Sequence, residues 1–377
     1  MNDLLQTTPR GLYCALGDFY VDPHQAVDRA VVTHAHTDHA RWGCRRYLAA
    51  QQSEHLLRMR MNDDAEFQFL PYGESIKIRG VHVSFHPAGH MLGSAQVRLE
   101  HRGKVAVVTG DYKLGSDPTC EPWQPIRCDL LVTESTFGLP VYRWDPEQTT
   151  MASINQWWRD TEAEGRCCVL YGYAVGKSQR LIAGLDPTIG PIYTHGAVEK
   201  GTEAYRKTGV SLPPTTYVGA VEGKHDYSGG MVVAVPSAHG TPWMRRFGRV
   251  RTAMASGWMA VRGARRRRSV DRGFVVSDHV DWPSLLQAVQ LCDPEMVWVT
   301  HGYTAAVARY LQENGRDARV IDSRGRGESD EDASPADVDD GSALNADKGT
   351  ADQGTADQGT ADQGNVDQGN VDQRDES

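Results

Sequence analysis

Thr33-His34-Ala35-His36-Thr37-Asp38-His39 packs three histidines and a carboxylate into six residues, directly behind the apolar run Arg29–Thr33. In extended backbone, alternate side chains share a face, so His34 and His36 point the same way. Asp38 and His39 fall where the loop turns toward a helix, and they can aim at a neighbouring point. One short segment can therefore supply two ligands to each of two adjacent metal ions. Imidazole with carboxylate suits Zn²⁺, with Mn²⁺ or iron less well matched. A polar surface loop has no need of three histidines at this spacing behind a buried strand.

Further ligands are expected at the ends of other predicted strands. His90 closes Pro87-Ala88-Gly89-His90, Asp111 sits in Thr109-Gly110-Asp111-Tyr112, and His301 sits in Val299-Thr300-His301-Gly302. Each has a glycine beside it, which would let the backbone come close to a metal. Alone, each reads as a structural histidine or a turn aspartate. Together they form a ring of loops at one edge of a sheet sandwich.

Around this ring the 377 residues suggest about two domains. Gly11–Cys14 with Phe19–Asp22, Ser75–Phe85 with a turn at Arg79-Gly80, and Ala95–Glu100 with Lys104–Thr109 read as hairpins. Asp129–Thr133 is a buried strand, and antiparallel pairing is expected to dominate up to residue 135. Helices are predicted over Glu147–Glu164, Lys177–Leu185 and Glu199–Thr208, alternating with strands Cys167–Tyr171, Pro191–Thr194 and Gly230–Pro236. The chain then runs through strand Phe274–Ser277, helix Pro283–Leu291, strand Met296–Thr300 and helix Thr304–Gln312. The expected division is a first domain of 1–145 and 271–322, an inserted α/β domain over 146–270, and a disordered acidic tail over 323–377. In that tail ADKGT, ADQGT, ADQGT, ADQGN and VDQGN repeat with a period that fits neither a helix face nor a strand face.

The net charge of −9 hides an asymmetry. Gly327–Ser377 carries 15 acidic and 2 basic residues, which leaves 38 basic and 34 acidic residues in the body. A mildly basic body permits a polyanionic partner. Between Arg245 and Arg272, ten of 28 residues are arginine, among them Arg245, Arg246, Arg265, Arg266, Arg267 and Arg268, with Trp243, Phe247 and Trp258 interleaved. Guanidinium groups for phosphates and aromatic rings for stacking suit a single-stranded nucleic-acid groove. Tyr171–Ser178 is one residue short of a phosphate-binding P-loop, which excludes ATP binding by that motif. A helix start at Lys177 could still hold a substrate phosphate. No apolar run is long enough to span a membrane, and Met1–Gly11 lacks a signal pattern. Seven cysteines without a C-x-x-C pair point to a reduced, cytoplasmic chain.

The set His34-x-His36-x-Asp38-His39, His90, Asp111 and His301 resembles the metallo-β-lactamase superfamily. The long insertion after Asp111, Glu134 in Thr133-Glu134-Ser135, and Ser277-Asp278-His279 resemble its β-CASP branch of nucleases. The resemblance covers about 1–322. Gly17–Asp22, His34–Arg41, Pro87–Gln96, Gly110–Lys113 and Val276–Trp282 carry a narrower likeness to bacterial ligase-associated DNA exonucleases, also described as mRNA 3′-end processing factors.

The resemblance implies a four-layer αββα sandwich with an inserted β-CASP domain. It implies two Zn²⁺, with Mn²⁺ as the alternative. One would be held by His34, His36 and His90, the other by Asp38, His39 and His301, with Asp111 bridging. Asp38, Glu134 and His279 would form the catalytic set, His279 acting as general acid oriented by Glu134. Asp22 would orient a ligating histidine rather than bind metal. The expected activity is phosphodiester hydrolysis by a hydroxide activated between two metals: a DNA exonuclease in repair, partnered by a ligase or helicase. The alternatives are a ribonuclease and, less well supported, a small-molecule metallohydrolase. Arg245, Arg246, Arg265–Arg268, Trp243 and Lys177 are the expected nucleic-acid contacts.

Overall fold

The computed structural model describes residues 4–61, 64–261 and 269–321. The expected disordered tail and Arg265–Arg268 lie outside these residues. The first sheet runs in chain order through β1 (Gln6–Thr8), β2 (Gly11–Cys14), β3 (Phe19–Val21), β4 (Arg29–Val31), β5 (Arg46–Ala50) and β6 (Glu66–Leu70). The second begins with β7 (Ser75–Ile78), β8 (Val81–Pro87), β9 (Ala95–His101), β10 (Lys104–Val108) and β11 (Leu130–Ser135). Met296–Gly302 and Asp317–Val320 complete its far edge.

The period-two patterning explains why these sheets face each other. Phe19, Val21, Val31 and Leu48 of the first sheet meet Val83, Phe85, Val97, Leu99 and Val132 of the second in one closed core. At ~1.5–3 kcal/mol per fully buried large apolar side chain, this layer is the main source of cohesion between the sheets. The outer face of the first sheet is covered by α1 (Glu54–Arg60), whose Leu56 and Leu57 are fully buried. The chain is thus a mixed α/β protein whose two central sheets have helices outside them.

The expected dominance of antiparallel pairing fails in the first sheet. β3–β4, β4–β5 and β5–β6 are parallel. Short apolar runs such as Arg29–Val31 read alike in either direction, and β5, α1 and β6 carry no strong pattern of their own.

After β11 the chain builds a third sheet. It contains β12 (Cys167–Tyr171), β13 (Ile192–Thr194), β14 (Thr216–Tyr217), β15 (Met231–Ala234), β16 (Val250–Ala255) and β17 (Arg272–Phe274), in the order β14-β13-β15-β12-β16-β17. Every pairing is parallel. β12 (CCVLY) and β15 (MVVA) are buried at every position, the continuous apolar run that a sheet covered on both faces requires. The covering helices include α2 (Glu147–Ala163), α3 (Lys177–Gly184) and α4 (Gly196–Lys207). The strand expected over Phe274–Ser277 is instead Arg272–Phe274, paired with β16 at this sheet's edge.

The chain returns to the second sheet through α5 (Trp282–Cys292), β18 (Met296–Gly302), α6 (Thr304–Glu313) and β19 (Asp317–Val320). Asp281 caps α5 by accepting from the Ser284 N–H at 3.0 Å, with Pro283 in the first turn. α5 and α6 cover the outer face of the second sheet, burying Leu285, Val289, Val307 and Leu311 against Leu131, Val297 and Val299. All seven cysteines are free, and all but Cys120 are buried.

Candidate metal centre

Strand ends build the site. β4 delivers Thr33–His39, β8 delivers His90, β10 delivers Asp111, β11 delivers Glu134, and His301 lies in β18. The ligand atoms of His34, His36, His90 and Asp111 lie within 4.8 Å of one another, as do those of Asp38, His39 and His301. Asp111 belongs also to a third group with Glu134 and His279. Its Oδ2 stands 3.6 Å from His34 Nε2, 3.4 Å from His39 Nε2 and 3.9 Å from His90 Nε2.

The outward hydrogen bonds fix which nitrogen of each ring faces inward. The Thr33 hydroxyl donates to Asp22 Oδ2 at 2.6 Å, so His34 Nδ1–H donates to Thr33 Oγ1 at 3.1 Å. His39 Nδ1–H donates to Asp22 Oδ2 at 2.7 Å. His36 Nε2–H donates to the Val175 carbonyl, and His90 Nδ1–H to the Asp278 carbonyl, each at 3.0 Å. The inward atoms are then Nε2 of His34, His39 and His90 and Nδ1 of His36, with lone pairs at His34, His36 and His90. This is the arrangement in which an outer partner orients each ligating imidazole.

The donors fit divalent cations. His34 Nε2 and His39 Nε2 are buried without a hydrogen-bond partner, a condition that costs about 1–3 kcal/mol for each polar group so stranded. His36 Nδ1 and His90 Nε2 face each other at 3.2 Å with lone pairs on both, a repulsive contact that a shared cation relieves. Charge agrees. Burial pushes His36 down to about 3 and His90 and His301 down to about 4, and it lowers His34 strongly, so these rings are neutral, the state in which imidazole can ligate a metal. At His39, burial opposes the charged form, but Asp111, Asp38 and Asp22 outweigh it and hold the ring well above its usual range. Three carboxylates there favour a positive charge.

Two residues of the site hold left-handed backbone without being glycine: Asp22 at φ 44° and His301 at φ 51°. Such conformations cost of order 1–2 kcal/mol and cluster where function fixes a side chain. The adjacent glycines act otherwise than expected. A Cβ on Gly110 would come within 2.6 Å of the Thr33 side chain, and one on Gly302 would collide with the Ser135 carbonyl. They make room for neighbouring protein, not for a metal.

Glu134 and His279 form a buried pair beside this centre. His279 Nδ1 lies 2.9 and 3.0 Å from the two Glu134 oxygens and 3.9 Å from Asp111 Oδ2. The Tyr112 N–H donates to Glu134 Oε1 at 2.9 Å and fixes the carboxylate. Burial disfavours the His279 cation, yet Glu134 and Asp111 overcome it and push the group up to about 9. Phe137 packs edge-on to His279, and Trp144 Nε1–H donates to its carbonyl at 2.9 Å.

The expected nucleic-acid contacts divide. Arg245 and Arg246 are exposed. Trp243 is half-buried, edge-on to His195 and Phe247, with the Arg246 guanidinium 5.6 Å above its ring. Lys177 is a correction. Only 2 % of it is exposed, and its ammonium stands 3.2 Å from Asp278 Oδ1 rather than in an open groove. The helix start at Lys177 suits a substrate phosphate in the sequence, but its lysine is buried beside Asp278. Sequence reasoning also missed the buried charges around it. Arg180 Nε and Nη2 donate to the two Glu147 oxygens at 2.7 and 2.6 Å, and Lys113 lies 3.4 Å from Glu147. Lysines and arginines seldom bury, so no local pattern marks them.

No family model matches the chain. A probable DNA ligase of Opitutus terrae is 32 % identical over 313 residues, which are 82 % of this chain and 30 % of that protein. An RNase J-like protein of Methanocaldococcus jannaschii is 26 % identical over 211 residues, 48 % of this chain and 50 % of that protein. The chain therefore spans half or less of the length of these two relatives. A crystal structure of a protein of unknown function from Enterococcus faecalis superposes with a TM-score of 0.53 at 12 % identity, over 79 % of this chain and 80 % of that one. This last likeness is one of fold alone.

Proposed function

The chain belongs to the β-CASP branch of the metallo-β-lactamase superfamily, and from that premise we propose that it is a zinc-dependent DNA exonuclease. The observation that carries the reading is the convergence of inward ring nitrogens from His34, His36, His39 and His90 on the Asp111 carboxylate, with Glu134–His279 alongside. His34 Nε2, His36 Nδ1 and His90 Nε2 would hold one Zn²⁺, and Asp38, His39 Nε2 and His301 the other, with Asp111 shared. Mn²⁺ would suit the same donors. When bound, such a pair of ions lowers the pKa of an attacking water and neutralises phosphate charge.

The chain's own residues would do the rest. Asp22, held by the Thr33 N–H and hydroxyl, keeps His39 aimed inward. Glu134 keeps His279 protonated and oriented through Nδ1, so that Nε2–H can pass a proton to the departing oxygen. Burial of these groups strengthens each interaction by excluding water. We assign the third sheet and its helices, 146–274 once β17 is included rather than the expected 146–270, to an inserted substrate-handling domain, where exposed Arg245 and Arg246 would meet backbone phosphates.

DNA is favoured because the probable DNA ligase matches over most of this chain, which suits trimming of strand ends beside a ligase in cytoplasmic repair. No helix among the described residues is long and apolar enough to cross a membrane. The RNase J-like relative favours a second reading, a ribonuclease with the same chemistry. The test is cleavage of 5′- and 3′-labelled single-stranded DNA and RNA, with and without chelator. Stepwise shortening of DNA that the chelator abolishes is the expected result. Cleavage of RNA alone would move the assignment to the second reading, and no cleavage of either by metal-loaded protein would sink both.

A further inference from the structure

We propose that Lys177 and Arg180 of α3 are positioning residues: together they clamp Ser277–His279 and so keep His90 and His279 in working orientation. The inference rests on the nuclease reading above and adds to it a device supplied by the third sheet.

At helix spacing i and i+3, Lys177 and Arg180 share a face of α3. That face meets the segment after β17. Lys177 Nζ stands 3.2 Å from Asp278 Oδ1, and Arg180 Nη1–H donates to the Ser277 carbonyl at 2.5 Å. The Arg180 guanidinium cannot swing, because Glu147 of α2 grips it through two parallel hydrogen bonds. The clamped segment in turn holds the site. The Asp278 carbonyl accepts from His90 Nδ1 at 3.0 Å, and Ser277 Oγ accepts from the His279 N–H at 3.1 Å. Two residues before Lys177, the Val175 carbonyl accepts from His36 Nε2. A single loop and helix start thus reaches three rings of the centre.

Burial separates this role from substrate binding. Lys177, Arg180 and Asp278 are 2, 4 and 2 % exposed. A buried ion pair adds little to net stability compared with an apolar pair, and its best-attested use is to fix one geometry. Here it fixes the backbone carbonyl that sets the tautomer of His90.

The test compares wild type, K177M, K177R and the double variant K177M/D278N in the full chain. Zinc affinity is read by chelator competition, and kcat, KM and thermal melting are measured alongside. In K177M, zinc affinity and kcat should each fall about 10–100-fold, the usual cost of losing an outer partner, with KM little changed. K177R should recover most of both. If K177M melts early because Asp278 is left unpaired, K177M/D278N removes that charge and remains measurable. Its kcat and zinc affinity should be no worse than those of K177M, because both changes break one link. A raised KM with kcat and zinc affinity kept would overturn the inference and make Lys177 a phosphate contact. Losses that multiply in the double variant would also overturn it. Wild-type protein that binds no metal would instead sink the reading of the centre itself.

Discussion

The two sides of the centre are built in different ways. On the sandwich side, His34, His39 and Glu134 sit at strand ends and are fixed by their own neighbours: Thr33, Asp22 and the Tyr112 N–H. On the third-sheet side, none of the described residues belongs to the two metal clusters. Val175, Lys177 and Arg180 act from behind, through carbonyls and a clamp. Ligation is thus local to one fold unit, while orientation is shared across two. Changes to the donors and to His279 on the sandwich side should remove metal or chemistry outright. Changes on the other side should weaken them by degrees.

Asp111→Ala should break the sandwich side hardest, because that carboxylate belongs to the first cluster and reaches within 3.4 Å of His39 in the second. Metal content and cleavage should fall together, the rate by at least about 10³-fold, equivalent to ~4 kcal/mol. Bound metal by mass spectrometry and initial rates on labelled DNA check it. His279→Ala should keep its metal and lose about 10²–10⁴-fold in rate, the usual worth of a positioned acid. Metal loss in that variant would remove His279 from the acid role.

Glu134→Gln probes the same pair through pH. An acid works only while protonated, so activity falls as pH rises through the His279 pKa. Glu134 and Asp111 hold that group up near 9. Removing one carboxylate lowers it, and the alkaline fall in a pH–rate profile should move to lower pH. An unmoved alkaline limb would detach that limb from His279.

Asp22→Asn should cost about 10–100-fold in metal affinity, comparable with K177M, although the two lie on opposite sides. If only one of the two matters, the symmetry between local and remote support is false. The smallest effect belongs to the exposed cations. Arg245→Ala and Arg246→Ala should raise KM with kcat kept, and each should reduce the salt dependence of binding by ~0.7 in the log–log slope for single strands.

The same division governs what could be read in advance. The sandwich side was legible because its working residues are rare types at the ends of recognisable strands. His34, His36, His39, His90, Asp111 and His301 announce themselves by chemistry and by a preceding apolar run. Glu134 and His279 needed the family likeness, since a lone glutamate and a lone histidine carry no pattern. The third-sheet side was nearly invisible. A carbonyl such as that of Val175 is supplied by any residue, so its role leaves no trace in residue identity. Lys177 misleads because it stands at a helix start, where a phosphate could dock, and nothing local marks it as buried. The parallel pairings from β3 to β6 escaped because strand direction is set by crossovers, not by composition.

The placement of the donors along the polypeptide sets an order of assembly. His34, His36, His90 and Asp111 have all been translated once the ribosome passes residue 111, whereas the group of Asp38 and His39 waits for His301. At ~5–20 residues per second that delay is roughly 10–40 s. The first set of donors is thus complete early in synthesis, whereas the carbonyls of Val175 and Asp278 that orient His36 and His90, and the second set, arrive only as the rest of the body is made.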